Sequence, residues 1–205
     1  MILIVSLIKV LERKNIMAKR EVFILLTHTG TIPSKIIRFY TGEPYSHVSI
    51  AFDLGLNEIY SFGRRFVNNP IIAGLIKEDI SGGTYAKFKN TTYELYSLSI
   101  SSNQYDKLKR EIQSLYKVKD KYGYNFLGLL GVLMNRPICR RNAYFCSQFV
   151  ATVLEKSDIK IMKKPSGLVI PGDFRRAKGL RLVRKGILSK HHANMLYGND
   201  MKISS

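Results

Sequence analysis

Hydrophobic and polar positions along the chain fall into segments with two different periods. Glu-Val-Phe-Ile-Leu-Leu-Thr, Glu21 to Thr27, is a short unbroken apolar run of the kind a buried strand requires. Pro33 and Ser34 open a short helix, Ser34 to Tyr40, which Gly42 stops. From Tyr45 to Asp53, Val48, Ile50 and Phe52 alternate with His47, Ser49 and Ala51, which predicts a half-buried strand. Leu54-Gly-Leu-Asn57 turns the chain and Glu58 to Phe62 returns, giving a hairpin with His47 near one end. Asn68-Asn-Pro70 begins an irregular or helical piece that Gly82-Gly83 ends. Tyr85 to Phe88 and Thr92 to Ile100 read as further strands. Ser101-x-x-Gln104 is a capping box, and Tyr105, Leu108, Ile112 and Leu115 give the helix face behind it.

Tyr124 to Met134 is strongly apolar, with Gly128 and Gly131, and is too short to span a bilayer, which predicts a buried helix. The glycines suit close packing and carry no phosphate-loop pattern. Asn142 to Glu155 follows as an amphipathic helix with Phe145, Phe149, Val150, Val153 and Leu154 on one side and Asn142 as its cap. Pro165 to Gly172 is a loop and Pro171-Gly-Asp-Phe174 starts one more helical turn, with Asp173 as a capping residue. Leu180 to Val183 is a last strand, and from Lys190 the chain becomes a polar, mobile tail. The succession is α+β: one domain over residues 21–188, an extension over 1–20 and a tail over 189–205.

Composition is that of a globular protein, 45% hydrophobic and 23% charged. Two cysteines, Cys139 and Cys146, make no disulfide framework and fit a reducing, cytoplasmic setting. Charge changes the picture more. Thirty-three Lys and Arg stand against 15 Asp and Glu, a formal net charge of +18. That excess favours anionic partners: an anionic polymer, a membrane surface to which the protein is peripheral, or nucleic acid. The basic residues are scattered, and no nucleic-acid-binding motif accompanies them. Residues 1–16 are apolar at first, lack the layout of a signal peptide, and are followed by Met17-Ala-Lys-Arg, which reads as a natural start. Losing them removes Lys9, Arg13 and Lys14 against Glu12, so the chain stays strongly basic.

Two residues carry candidate chemistry. Cys146 falls in the first turn of its helix, where the dipole and unpaired N–H groups favour the thiolate, the reactive form. His47, opposite in phase to Val48, Ile50 and Phe52, is the natural base. A cysteine hydrolase also needs a third group to orient that base. His28, after the first strand, and Tyr45 are candidates to line the cleft. His191-His192 lacks companion ligands and reads as a solvated pair.

Tyr45-Ser-His-Val-Ser-Ile and, later, Tyr144-Phe-Cys-Ser-Gln-Phe-Val together resemble the two hallmarks of the circularly permuted papain-like hydrolases. These are the YiiX/YaeF-like branch of the NlpC superfamily, related to lecithin:retinol acyltransferase. The histidine strand precedes the cysteine helix here, as in the permuted branch. Tyr60-Ser-Phe-Gly63, Tyr124-Asn-Phe-Leu-Gly128 and Pro171-Gly-Asp-Phe174 are similar to further landmarks. The resemblance implies a papain-like antiparallel sheet packed against helices. It implies Cys146 as nucleophile, His47 as general base, and a third group on the returning strand. Tyr60 best matches that position, with Glu58 and Ser61 as alternatives; the family usually has His, Glu or Gln there. The implied activity is hydrolysis or acyl transfer on an amide, ester or thioester of a peptide, cell-wall peptide or lipid, without metal or organic cofactor. A phenol orients an imidazole without a carboxylate's charge, which motivates a rival: a binding module for anionic polymer or lipid that kept the fold and lost the activity. A nucleic-acid-binding protein is a further alternative, resting on charge alone.

Overall fold

A computed structural model describes residues 18–30, 42–66 and 69–191. Its centre is a six-stranded antiparallel sheet: β1 (Lys19–His28), β2 (His47–Ala51), β3 (Ile59–Phe66), β4 (Asn69–Glu78), β5 (Thr92–Ser101) and β8 (Leu180–Ile187). The order is β4-β3-β2-β1-β5-β8, and every neighbouring pair runs antiparallel. A two-residue parallel ladder joins β6 (Gly123–Tyr124) to β7 (Ala143–Tyr144). The helices are α1 (Gly83–Lys87), α2 (Ser102–Lys117), α3 (Phe126–Leu133), α4 (Cys146–Lys156) and α5 (Pro171–Arg175). The chain is thus α+β, as expected.

β1 lies in the middle of the sheet with both faces covered, which is why its apolar run does not alternate. Val22, Ile24 and Leu26 point to the larger core, shared with Leu108 and Ile112 of α2 and Phe149, Val150 and Val153 of α4. Phe23 and Leu25 point to a smaller core with Ala51, Ile59, Tyr85, Tyr93 and Leu188. The capping box forms as the pattern predicts: Gln104 N–H donates to Ser101 Oγ at 3.2 Å and Ser101 N–H to Gln104 Oε1 at 3.1 Å.

Three expectations fail. The segment after Asn68 is not irregular or helical but strand β4, paired along β3. It lies at the sheet's edge, where a proline such as Pro70 is tolerated because one side of an edge strand needs no ladder donor. Tyr85 lies in helix α1, not a strand. α3 is helical but not buried: Gly128 and Gly131 face the protein while Phe126, Leu127, Leu130, Leu133 and Met134 are exposed. A Cβ on Gly131 would stand 2.5 Å from the Arg136 carbonyl oxygen, so the backbone approach there requires glycine.

At the C-terminal end, His191 is fully buried. It is bonded through Nδ1 to the Tyr93 hydroxyl at 2.9 Å and accepted through Nε2–H by the Leu54 carbonyl at 3.0 Å. The domain therefore includes His191, which fills a polar slot in the smaller core and is not part of a solvated pair. At the other end the sheet starts at Lys19. The Met17 start, the helix over 34–40 and His192 fall outside the described residues.

Candidate active site

α4 begins without a side-chain cap. Phe145 occupies the N-cap in an extended conformation, and its side chain makes no capping hydrogen bond. Asn142, expected there, sits in an exposed turn at φ 55° and accepts from Gly123 N–H through its carbonyl. Ala143 and Tyr144 are committed to β7, so the helix cannot start before them. The uncapped N–H groups stay available to the site. Ser147 N–H donates to the Cys146 sulfur, and so does the N–H of Val48 on β2. β2 and β3 pair only at Ile50–Tyr60 and Ala51–Ile59. Toward His47 they part, and the start of α4 reaches β2 at this opening.

His47 is hydrogen-bonded to the thiol of Cys146. Its Nε2 lies 2.7 Å from Glu78 Oε1 at the end of β4, which leaves Nδ1 for the sulfur. Glu78 is itself saturated. Ser61 Oγ donates to the same oxygen, and Ser49 Oγ and Tyr85 Oη donate to Oε2, each at 2.9 Å. Four donors on one buried carboxylate fix its ionised form and its orientation.

Electrostatics follow from this arrangement. Burial opposes charge on the imidazole, but the Glu78 carboxylate and the sulfur outweigh it, and the His47 pKa is pushed up to about 10. Burial would raise the Cys146 thiol, but the His47 hydrogen bond and charge, with the Val48 and Ser147 N–H groups, bring it below its ordinary value. Burial also opposes the Glu78 charge, and His47, Ser61 and Ser49 together pull its pKa down. These shifts all run toward a thiolate–imidazolium pair backed by a carboxylate. Cys146 is only 4% exposed, while the His47 side chain is 23% exposed and forms the open edge of the cluster.

Tyr124 completes the site. Its hydroxyl accepts from the Cys146 N–H and bonds the thiol, and burial with the nearby sulfur keeps the phenol protonated. Arg64, half-buried on β3, is close enough for its charge to act on that phenol. β6 is pinned in place: Asn125 N–H donates to the Tyr144 carbonyl, and the Arg65 guanidinium donates to the carbonyls of Lys119 and Tyr122 at 2.7 and 3.1 Å. Asn125, fully buried, ties α3 to α4. Its Oδ1 accepts from Gly128 N–H at 3.0 Å, and its Nδ2 donates to Gln148 Oε1 at 3.2 Å.

Of the residues predicted from sequence, Cys146 and His47 are brought together. Tyr60 is not brought to the imidazole. Ile59 is the partner of Ala51, so Ser61, not Tyr60, shares the face of His47; Tyr60 points to the opposite face with Ile50. There it packs edge-on against Phe52 and Tyr116, its hydroxyl donating to Glu58 at 3.3 Å. Glu58 pairs with Lys109 at 2.9 Å and does not join the cluster. Ser61 does, one bond out, through Glu78. His28 Nδ1 is 3.5 Å from Ser46 Oγ, at the end of β1 beside the start of β2. Tyr45 turns toward Arg175, whose guanidinium carbon lies 5.8 Å from its ring centre. Burial, then Glu94, pushes the Tyr45 phenol up to about 12.

Glu78 and Tyr124 were missed as site residues. A carboxylate closing an apolar run, Ile-Ile-Ala-Gly-Leu-Ile-Lys-Glu, was the available signal for the first. Among the described residues no three His, Cys, Asp or Glu side chains converge as a metal-binding set. When the chain is compared with protein-family models and with curated proteins, nothing matches.

Proposed function

We propose that the protein is a cysteine hydrolase or acyltransferase built on a permuted papain-like plan, acting on an amide, ester or thioester. One observation carries the reading. An uncapped helix start presents Cys146 to an imidazole whose far nitrogen is held at 2.7 Å by a buried, fully bonded carboxylate. Structural cysteines have no use for this arrangement, whereas a nucleophile with a general base requires it. The motive for an inactive binding module was an uncharged third group. With Glu78 on the imidazole that motive is gone.

In the proposed reaction the Cys146 thiolate attacks the carbonyl carbon, forming the S–C bond as the C=O electron pair moves to oxygen. The N–H groups at the start of α4 and the Tyr124 hydroxyl are the donors nearest that oxyanion, a role worth ~10²–10³ in turnover per donor. The His47 imidazolium gives its Nδ1 proton to the leaving amine, alcohol or thiol as the C–X bond breaks. Neutral His47 then takes a proton from water, or from an acceptor, which attacks the thioester and releases Cys146. Glu78 keeps the Nε2 proton in place throughout and stays ionised.

The test is alkylation with iodoacetamide at pH 7, read by peptide mass spectrometry. Exposure alone predicts that Cys139, which is exposed, labels ahead of buried Cys146. The proposal requires the reverse order, and His47→Ala must abolish it. Faster labelling of Cys139 in the wild type would sink the proposal.

A further inference from the structure

α3 is apolar throughout, with small and large residues on opposite sides. Its small residues face the protein and its large ones face outward: Phe126 is 47% exposed, Leu130 52%, Leu133 49% and Met134 63%. With Leu127 they fall on one side of the helix, Leu127 and Met134 toward one edge of it. One-sided apolar surface of this kind marks an interaction site. The turn that follows carries Arg136, Arg140 and Arg141, all exposed, and no acidic residue occurs anywhere from Lys121 to Leu154. Exposed aromatic and aliphatic side chains followed by a cluster of arginines combine the two attractions of an interfacial anchor, apolar area and positive charge. No helix among the described residues is long and apolar enough to cross a membrane.

We propose that α3 and the Arg136–Arg141 turn form a docking surface for an anionic lipid bilayer. The exposed apolar side enters the acyl boundary and the arginines pair with lipid phosphates. Charge decides the choice of occupant. A dimer through α3 would bring together two copies of a protein of net charge +18 and leave the arginines without anionic partners from the mate's α3 segment, which has no acidic residue. A bilayer rich in anionic lipid supplies apolar depth and negative charge in the right order along its normal. Docking also sets the candidate site at the membrane surface. α3 starts just after Tyr124, whose hydroxyl touches Cys146, and the Phe126 ring packs on the Tyr124 ring at 4.7 Å between centroids.

Flotation of the full chain with vesicles of phosphatidylcholine containing about a third phosphatidylglycerol, against pure phosphatidylcholine vesicles, tests this. The wild type is expected to partition at least about tenfold more strongly onto the anionic vesicles, as basic residues near such a surface require. Leu130→Ser with Leu133→Ser, and separately Arg140→Gln with Arg141→Gln, are each expected to lose most of that binding. Iodoacetamide labelling of Cys146 should be unchanged in both, which separates a failure of docking from a failure of the proposed chemistry. Three results would each overturn the proposal: no preference for anionic vesicles, full binding by the leucine variant, or a wild-type dimer in sedimentation that the leucine variant dissolves without any vesicle binding.

Discussion

Replacing Glu78 by Gln removes one charge and almost no volume, so it isolates what the carboxylate does. The rise of the His47 pKa from 6.5 to about 10 amounts to roughly 5 kcal/mol of preference for the charged ring, at ~1.4 kcal/mol per pKa step. Burial opposes that rise, so Glu78 and the thiolate together supply more than this sum. Gln offers one acceptor oxygen where Glu78 offers two. Ser49 and Tyr85 both donate on the Oε2 side, so the amide oxygen is drawn there and the amide N–H turns to the Oε1 side, toward His47 and Ser61. The ring must then accept at Nε2 and carry its proton on Nδ1, the tautomer unable to receive the thiol proton. Burial, no longer offset by a charged His47, pushes the thiol pKa back up, so less of it is thiolate at pH 7. The greater intrinsic reactivity of a more basic thiolate returns part of that loss, so alkylation at pH 7 should slow about tenfold and its pH midpoint should move up. Acyl transfer, which also needs the correct tautomer, should fall by up to ~10⁴. The assay is the iodoacetamide rate at Cys146 from pH 5 to 10 on protein shown by circular dichroism to be folded. A folded Glu78→Gln variant with the wild-type midpoint and rate would refute the argument.

The same pair sets a pH window for stability. The His47 pKa is raised on folding, so its contribution is complete below 6.5 and fades as pH climbs through about 10. The Glu78 pKa is lowered, so its contribution is complete above 4.5 and is lost in acid. The melting-temperature gap between wild type and Glu78→Gln should therefore be widest from about pH 4.5 to 6.5 and should narrow toward pH 10; a gap that widens with alkali contradicts the assignment. Tyr124→Phe removes the hydroxyl on the sulfur, so the alkylation midpoint should rise and acylation by an activated p-nitrophenyl ester should fall ~10²-fold or more. Tyr60→Phe breaks only a 3.3 Å bond to Glu58. Labelling should not change and stability should shift by no more than ~1 kcal/mol in urea titration. Gly128→Ala drives a methyl into Asn125 and to 2.9 Å from the Phe145 ring, and should cost about 1–3 kcal/mol by the same titration.

Much of the fold was legible because periodicity and capping are local. β1, β5, α2 and α4 each carry an unambiguous run, and Phe145, Phe149, Val150, Val153 and Leu154 are all buried as their spacing demands. β4 was not legible. Its Pro70 and Gly74 are strand-breaking signals in isolation, and only the edge position and the Arg65 side chain lying across Gly74 make them compatible with a ladder. α3 shows the complementary failure. Its apolar content suggested burial, but hydrophobicity does not say which face turns inward, and two glycines took that face.

The site was half legible for a related reason. Cys146 and His47 sit in local contexts, a helix start and a strand end, that can be recognised without knowing the fold. Their orienting group cannot, because it comes from a third strand and its identity depends on pairing parity. Assigning it to β3 by position alone chose Tyr60, whose side chain lies on the wrong face. Parity against β2 would have moved the choice to Ser61, and the acceptor behind Ser61 is Glu78. A carboxylate at that depth is tolerated only with partners to compensate its desolvation. Here they are an imidazolium, two serines and a tyrosine drawn from three elements. A residue that costs this much to bury, satisfied by groups so far apart in sequence, becomes visible only when the sheet is assembled.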